Sequence, residues 1–398
     1  MLHLIPQKVR QFVLSESDCK NLLLCSLTTK NILKSIPIDT LVSLSATEAS
    51  EKLDGIPILE SDCSDKQDGD LKNSTSEEYT KDEDWKLVYD LMRASKQGIL
   101  FLREHMARFM ESLENMSPYP LPSYTNDFIK SCLQEYSTTP NGGLNPNLSD
   151  RNSKFQMDQN MKVIMWVKTN INSVNGASPS EEKPDQMLFI IYFIKSFFPP
   201  PEWYVKGIQF AFLFNARRQN PRFKVIQSQI ISRAKQLREA SGAFEIMLVD
   251  DASNNYLVPE GSRSNYLLIT QSGKIRCSDK SDILMGITLL ATTRAAKRAG
   301  LGAIEHCKLT LKDICSTYAL VMLGTSPGVL PVREILLYYD VESEANFRAA
   351  ASFLNIDVEG MKNFKTISFD PPSAVLEFVV QSDAINQLMK AYDEEKVS

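Results

Sequence analysis

Pro259-Glu260-Gly261-Ser262-Arg263-Ser264-Asn265 separates two short apolar runs that read as strands, Tyr256–Val258 and Tyr266–Thr270. A glutamate in such a turn either closes it with its carboxylate or, where buried, faces a basic group such as a pyridinium nitrogen. Upstream, Ile208–Phe214 and Glu245–Asp250 read as strands. Between them the spacing predicts a helix over Val225–Ala240, with Ile226, Ile230, Ala234 and Leu237 on one face. Downstream, Lys274–Cys277 is a strand and Ile287–Ala299 a helix. That helix carries Arg294, Lys297 and Arg298 at its negative pole and stops at Gly300. Ala319–Leu323 is a strand running into the tight turn Gly324-Thr325-Ser326-Pro327-Gly328.

Pro199–Pro201 is a stiff break and marks a domain boundary. Before it, Leu87–Arg93 and Gly98–Leu102 alternate like two strands, and Arg103–Met116 carries Met106, Phe109, Met110 and Leu113 at helical spacing. Thr138–Gln159 is a long loop. Val163–Val167 and Met187–Ile194 are strands around the polar insert Asn170–Asp185. Ahead of Trp85, Leu22–Leu24 and Ile36–Leu44 suit a strand and a helix. Residues 60–84 hold ten acids and three bases with almost no apolar content, the composition of a flexible acidic linker. The organisation expected is an N-terminal extension (1–84), a small α/β domain (85–200) and a larger domain (201–398).

The 398 residues suffice for two or three domains. Apolar residues at 43% and charged residues at 23% exclude collagen-like and wholly disordered chains. Met187–Ile194, the longest apolar stretch, is too short to cross a bilayer. A net charge of −5 argues against a general nucleic-acid binder. Seven cysteines without a C-x-x-C pair, and three histidines, suit neither a thiolate zinc site nor a disulfide scaffold. No metal site is expected, and a reducing compartment fits best. Lys8 and Arg10 lack an apolar signal core behind them, and Glu16 and Asp18 count against a transit peptide.

Four segments could carry chemistry. Lys224, in Asn220-Pro221-Arg222-Phe223-Lys224, is either a solvated residue ahead of a helix or an amine able to form a Schiff base with an aldehyde. Glu260 sits in the turn quoted first. Gly286-Ile287-Thr288 opens a helix whose free N–H groups and positive pole suit a phosphate or simply cap the helix. The Gly324–Gly328 turn offers N–H groups and hydroxyls to an anion.

In this order and spacing, the segments resemble the class IV aminotransferases, the fold-type IV enzymes that use pyridoxal phosphate. That family includes branched-chain and D-amino-acid aminotransferases and aminodeoxychorismate lyase. The resemblance spans about residues 85–385. It extends to Val88–Arg93, similar to an early family strand, to His105-Met106-Ala107-Arg108, similar to an H-x-x-R helix, and to Tyr318–Val332. It implies an α+β fold of two domains, the second β-rich and cofactor-binding, and it implies roles residue by residue. Lys224 is the Schiff-base lysine. Glu260 faces the pyridine nitrogen. Arg108, Thr288 and Thr325 bind the phosphate, helped by the backbone N–H groups of Ile287 and Thr288, and Ser326 lies near the substrate carboxylate. Asn265 ties the turn, His105 is a packing residue, Arg93 a strand-end charge, and Arg217, Arg218 and Arg222 read as a solvated loop, the alternative being a cluster that attracts anionic substrate.

The implied activity is a ping-pong transamination between an amino acid and a 2-oxo acid, by a cytoplasmic homodimer with neither nucleic-acid nor membrane partner. Organellar targeting by the N-terminal extension stays open. The alternatives are a lyase of the aminodeoxychorismate type and a non-catalytic relative that acts as a binding protein. The substrate half departs from the family. Val163–Trp166 stands where branched-chain enzymes carry Y-x-R, and Gln227, Ser228 and Gln229 stand where they place a tyrosine. Leu289 replaces the arginine usual after G-I-T.

Overall fold

A computed structural model of the chain describes residues 21–26, 31–37, 85–95, 98–117, 120–138, 159–168, 188–194 and 197–397. The acidic segment 60–84, the insert 170–185 and most of the expected loop 138–159 lie outside the described residues. The chain divides into two compact units. One comprises Met1–Ile99 and Phe109–Lys195, the other Leu100–Arg108 and Ser196–Ser398.

The first unit contains the strands β1 (Asn21–Ser26), β2 (Asn31–Pro37), β3 (Trp85–Ser95) and β4 (Gly98–Ile99), the helices α1 (Leu102–Met116, shared with the second unit) and α2 (Thr125–Thr138), and the strands β5 (Gln159–Lys168) and β6 (Leu188–Ile194). They form one antiparallel sheet in the order β2-β1-β6-β5-β3-β4. β6, Leu-Phe-Ile-Ile-Tyr-Phe-Ile, is buried along nearly its whole length, and strands pair with it on both edges. On α1, Met106, Phe109 and Leu113 are buried at helical spacing. The sequence reading lacked α2, whose Ile129, Cys132 and Leu133 are buried and whose Phe128 meets Phe189 edge-on at 6.0 Å. Ile36 and Pro37 end a strand instead of opening a helix, and the remainder of Ile36–Leu44 lies outside the described residues.

The second unit continues with α3 (Trp203–Lys206), β7 (Ile208–Leu213), α4 (Ser228–Ser241), β8 (Glu245–Leu248), β9 (Asn265–Ile269), β10 (Ile275–Ser278), α5 (Ile287–Arg298), β11 (Glu305–Cys307), α6 (Leu311–Ser316), β12 (Ala319–Gly324), β13 (Gly328–Tyr338), α7 (Val341–Phe353), β14 (Phe364–Phe369), β15 (Pro372–Glu377) and α8 (Asp383–Glu395). Its mixed sheet runs β11-β10-β9-β12-β13-β15-β14, with β7 pairing parallel to both β13 and β8. The α+β architecture expected from the sequence is present in both units. Period-two alternation sends β9 side chains to two separate cores. Tyr266 and Leu268 join Phe210, Leu330 and Phe347, while Leu267 and Ile269 join Leu289, Ile385 and Leu388 beneath α5 and α8. No described helix is long and apolar enough to cross a membrane.

Two expected elements differ. The α4 helix starts at Ser228, three residues late, because Gln227 at φ −117° and ψ 86° is non-helical and its side-chain amide is bound to the backbone of Gln219. Tyr256–Val258 is a turn with one bridge to Thr310, since Asn255 and Tyr256 both take positive φ.

Gly328 opens β13 at φ +68°, and a Cβ there would lie 2.7 Å from a ring carbon of Tyr392 on α8. Gly328→Ala should therefore lower stability by about 1–3 kcal/mol, combining left-handed strain with displacement of the ring. Chemical denaturation of the second unit reads this out, and an unshifted midpoint would mean that the turn relaxes freely.

Candidate active site

Glu260 is 2% exposed in the turn that precedes β9. The turn lies against β8: Ser262 N–H donates to Ile246 O at 2.7 Å, and Leu248 N–H donates to Glu260 O at 3.0 Å. Ser262 Oγ donates to the buried Glu245 carboxylate at 2.6 Å. Gly261 has no space for a side chain, because a Cβ would fall 2.3 Å from Ser264 Oγ. These contacts fix the main chain and leave the Glu260 carboxylate to other partners. Its Oε2 accepts from Leu284 N–H at 3.2 Å, and its Oε1 lies 3.2 Å from Arg218 Nε. That second contact is an ion pair without hydrogen-bond alignment, so Oε1 accepts no hydrogen bond. Burial pushes the Glu260 carboxyl above its ordinary range, opposed by Arg218, by the Leu284 N–H and by the charge of Lys224.

Asn265 holds the carbonyl of that same Leu284, its Nδ2 donating to Leu284 O at 3.0 Å. Its Oδ1 crowds Gly286, where a Cβ would meet it at 2.2 Å. Asn265 thus ties the turn to the segment that enters α5. The first turn of α5 begins at Gly286 without a side-chain cap, and Ile287 and Thr288 are buried there. Helix geometry leaves its leading N–H groups without intrahelical partners, which makes this end receptive to an anion.

The other expected residues lie in the same unit. Lys224 is half-buried in the loop between β7 and α4, near enough to Glu260 for its charge to act there. The loop is closed by two amide bonds, Gln219 N–H to Gln227 Oε1 at 3.1 Å and Gln227 Nε2 to Gln219 O at 2.7 Å. Arg108 is 9% exposed on α1, with Nη2 3.3 Å from Nδ1 of the buried His105. One turn earlier, Glu104 pairs with Arg294 of α5 at 3.1 Å, which links the two helices. Thr325 and Ser326 are half-buried in the hairpin between β12 and β13. The β9–β12 register sets Leu323 opposite Asn265, so this hairpin begins beside the Glu260 turn. Tyr204 Oη donates to Pro327 O at 2.8 Å and holds the hairpin.

Of the expected solvated arginine loop, Arg222 is exposed, while Arg217 and Arg218 are corrected by their ion pairs. Arg217 bridges Asp250 at 3.1 Å and Asp282 at 3.0 Å, and Arg218 faces Glu260. Sequence spacing could not show this, because the partners lie 33, 65 and 42 positions away; only the doubled charge directly after an apolar strand hinted at it. Among the described residues, no group of three or more histidine, cysteine, aspartate or glutamate side chains could hold a metal ion.

A family model described as amino-transferase class IV matches residues 87–335. Among solved structures, a Legionella pneumophila subsp. pneumophila str. Philadelphia 1 protein assigned as a 4-amino-4-deoxychorismate lyase is 13% identical with a TM-score of 0.52, covering 78% of this chain and 91% of that one. The T.th. branched-chain amino acid aminotransferase with pyridoxamine 5'-phosphate is 19% identical with a TM-score of 0.48, covering 69% of this chain and 87% of that one. A fold IV-transaminase from Curtobacterium pusillum is 15% identical with a TM-score of 0.49, covering 67% and 86%. No curated protein sequence matches the chain.

The raised Glu260 carboxyl has a signed consequence for stability. The folded state holds this proton more tightly than the unfolded one, so the residue's contribution falls as pH climbs from the ordinary glutamate range through the raised value. Glu260→Gln should remove that slope, and the variant should gain on the parent as pH rises above the ordinary glutamate range. Denaturant titrations of ligand-free protein across this range test it; parallel curves would show that Glu260 ionises as freely folded as unfolded.

Proposed function

The chain belongs to the amino-transferase class IV family, and on that footing we propose that it moves an amino group between an amino acid and a 2-oxo acid, using pyridoxal phosphate held in the second unit. The observation that carries this reading is a buried carboxylate, Glu260, bonded to Leu284 at the entry to the uncapped start of α5 and acted on by the charge of Lys224. The residues fit the cofactor: Glu260 Oε1 has unused hydrogen-bond capacity for a protonated ring nitrogen, and the first turn of α5, without a side-chain cap, offers its leading N–H groups to a phosphate. When bound, the cofactor supplies a carbonyl for primary amines and an electron-accepting ring.

The roles of the side chains follow from their chemistry. Lys224 would hold the cofactor through its carbonyl, with loss of water, and once released as a free amine would move the proton from substrate Cα. Glu260 holds a proton on the ring nitrogen, because an adjacent negative charge favours the protonated form. Arg108, Thr288 and Thr325, with the N–H groups of Ile287 and Thr288, take the phosphate. His105 steadies the Arg108 guanidinium. Ser326 takes the substrate carboxylate.

A panel of amino donors and 2-oxo acids on purified protein tests the reading, with equal amounts of new amino acid and new oxo acid expected. Pyruvate released without an amino acceptor would replace it with a lyase, and cofactor uptake without turnover would replace it with a binding protein. In the parent, borohydride reduction and peptide mapping should attach the cofactor to the peptide containing Lys224. Lys224→Ala should lose this attachment while keeping its fold, and persistent labelling elsewhere in the second unit would refute the assignment.

Hydrogen bonds to charged groups contribute about 1.5–3 kcal/mol. Arg108→Ala should therefore weaken cofactor binding by about one to two decades, roughly 1.4 kcal/mol being tenfold. Unchanged retention in equilibrium dialysis would remove Arg108 from the phosphate site.

A further inference from the structure

A guanidinium withdrawn from water needs good partners to offset its desolvation. The Arg218 side chain is 10% exposed, and it lies against a glutamate whose side chain is 3% exposed. Its Nε is 3.2 Å from Glu260 Oε1, and its Nη2 donates to Ser262 O at 2.7 Å. One planar group thereby holds both the carboxylate and the main chain two residues further on, and so fixes the direction of the Glu260 side chain relative to its own turn. Arg217 next to it serves other loops, through Asp250 and Asp282.

We propose that Arg218 is a positioning residue that favours the charged form of Glu260 and aims it, and thereby sets how much negative charge the cofactor's ring nitrogen meets. This rests on the function proposed above, since it presumes that Glu260 serves that nitrogen. Four groups act on the carboxylate besides burial: Arg218, the Leu284 N–H and Lys224 favour its charged form, and Glu245 opposes it. Arg218 is the largest of the favourable influences. Lys224 cannot replace it, because that amine is engaged by the reaction. Burial already outweighs these influences, and without Arg218 the carboxyl would hold its proton more tightly still. A neutral acid can share a hydrogen bond with the ring but cannot hold the ring's positive charge. With Arg218, the guanidinium and the ring proton share one carboxylate, so the nitrogen meets less negative charge than an isolated glutamate would present.

The rival role is purely mechanical, a clip on the turn through Ser262 O. Infrared spectra of cofactor-free protein and ¹⁵N chemical shifts of protein loaded with ring-labelled pyridoxal phosphate separate the two. Arg218→Met should develop a carboxylic-acid carbonyl band at neutral pH, lost in the Arg218→Met/Glu260→Gln double variant, and its ring nitrogen should move from mostly protonated to mostly neutral. Arg218→Lys, which keeps the charge, should restore the carboxylate, and Arg217→Met should show neither change. A carboxylate and a parental ring-nitrogen shift in Arg218→Met would overturn the proposal. Should Arg218→Met fail to fold, Arg218→Gln is read in the same way, and a Glu260 acid band no stronger than the parent's would equally overturn it. The infrared result stands even if pyridoxal phosphate is not taken up, in which case the proposed function fails and the ionisation role of Arg218 is judged separately.

Discussion

Both polar groups of one residue's backbone, Leu284, are held by a single turn, the N–H by Glu260 and the carbonyl by Asn265. This double attachment sets the entry to α5. Were either bond lost, a buried peptide group would stand unsatisfied at about 1–3 kcal/mol, and the start of the helix would lose its reference to the carboxylate. Gly286 can have no side chain because Asn265 occupies the space, and Gly261 none because Ser264 does. The two glycines are consequences of close approach, and both follow from fastening this turn to the helix entry.

The rest of the second unit supports that fastening from several sides. β8 holds the turn from below through Ile246 and Glu245. β12 holds β9 in a register that brings the Thr325 hairpin alongside. Arg294 and Arg298 of α5 both reach Glu395 on α8, at 2.7 and 2.6 Å, while Arg294 also meets Glu104 on α1. The C-terminal helix therefore steadies α5 from the end opposite its anion-receptive start. The site depends on tertiary fastening more than on any loop's own preference.

Much of this was legible in the sequence where local chemistry leaves a local mark. Short apolar runs bounded by turn residues marked β9 and β12, helical spacing marked α1, and the basic last turn with Gly300 marked the end of α5. What was not legible depends on partners remote along the chain. Arg217 and Arg218 read as solvated because Asp250, Asp282 and Glu260 become neighbours only through the sheet. The delayed start of α4 could not be foreseen either, since helix periodicity runs through Val225 and Ile226, whereas Gln227 is non-helical and bonded back to Gln219. The narrow apolar stripe of α2 was lost among polar neighbours.

The pairing of β1 with β6 gives the segment ahead of Trp85 a protective duty. Leu23 to Ser26 lie along Ile191 to Leu188, and β2 then covers β1 in turn. A polypeptide begun at Trp85 would turn Leu188–Ile194 into a bare edge of seven apolar residues with no charge or proline to deter pairing, the form of strand that recruits further chains. The opening residues thus act as a built-in guard against self-association, and any trimmed version of the protein has to supply another.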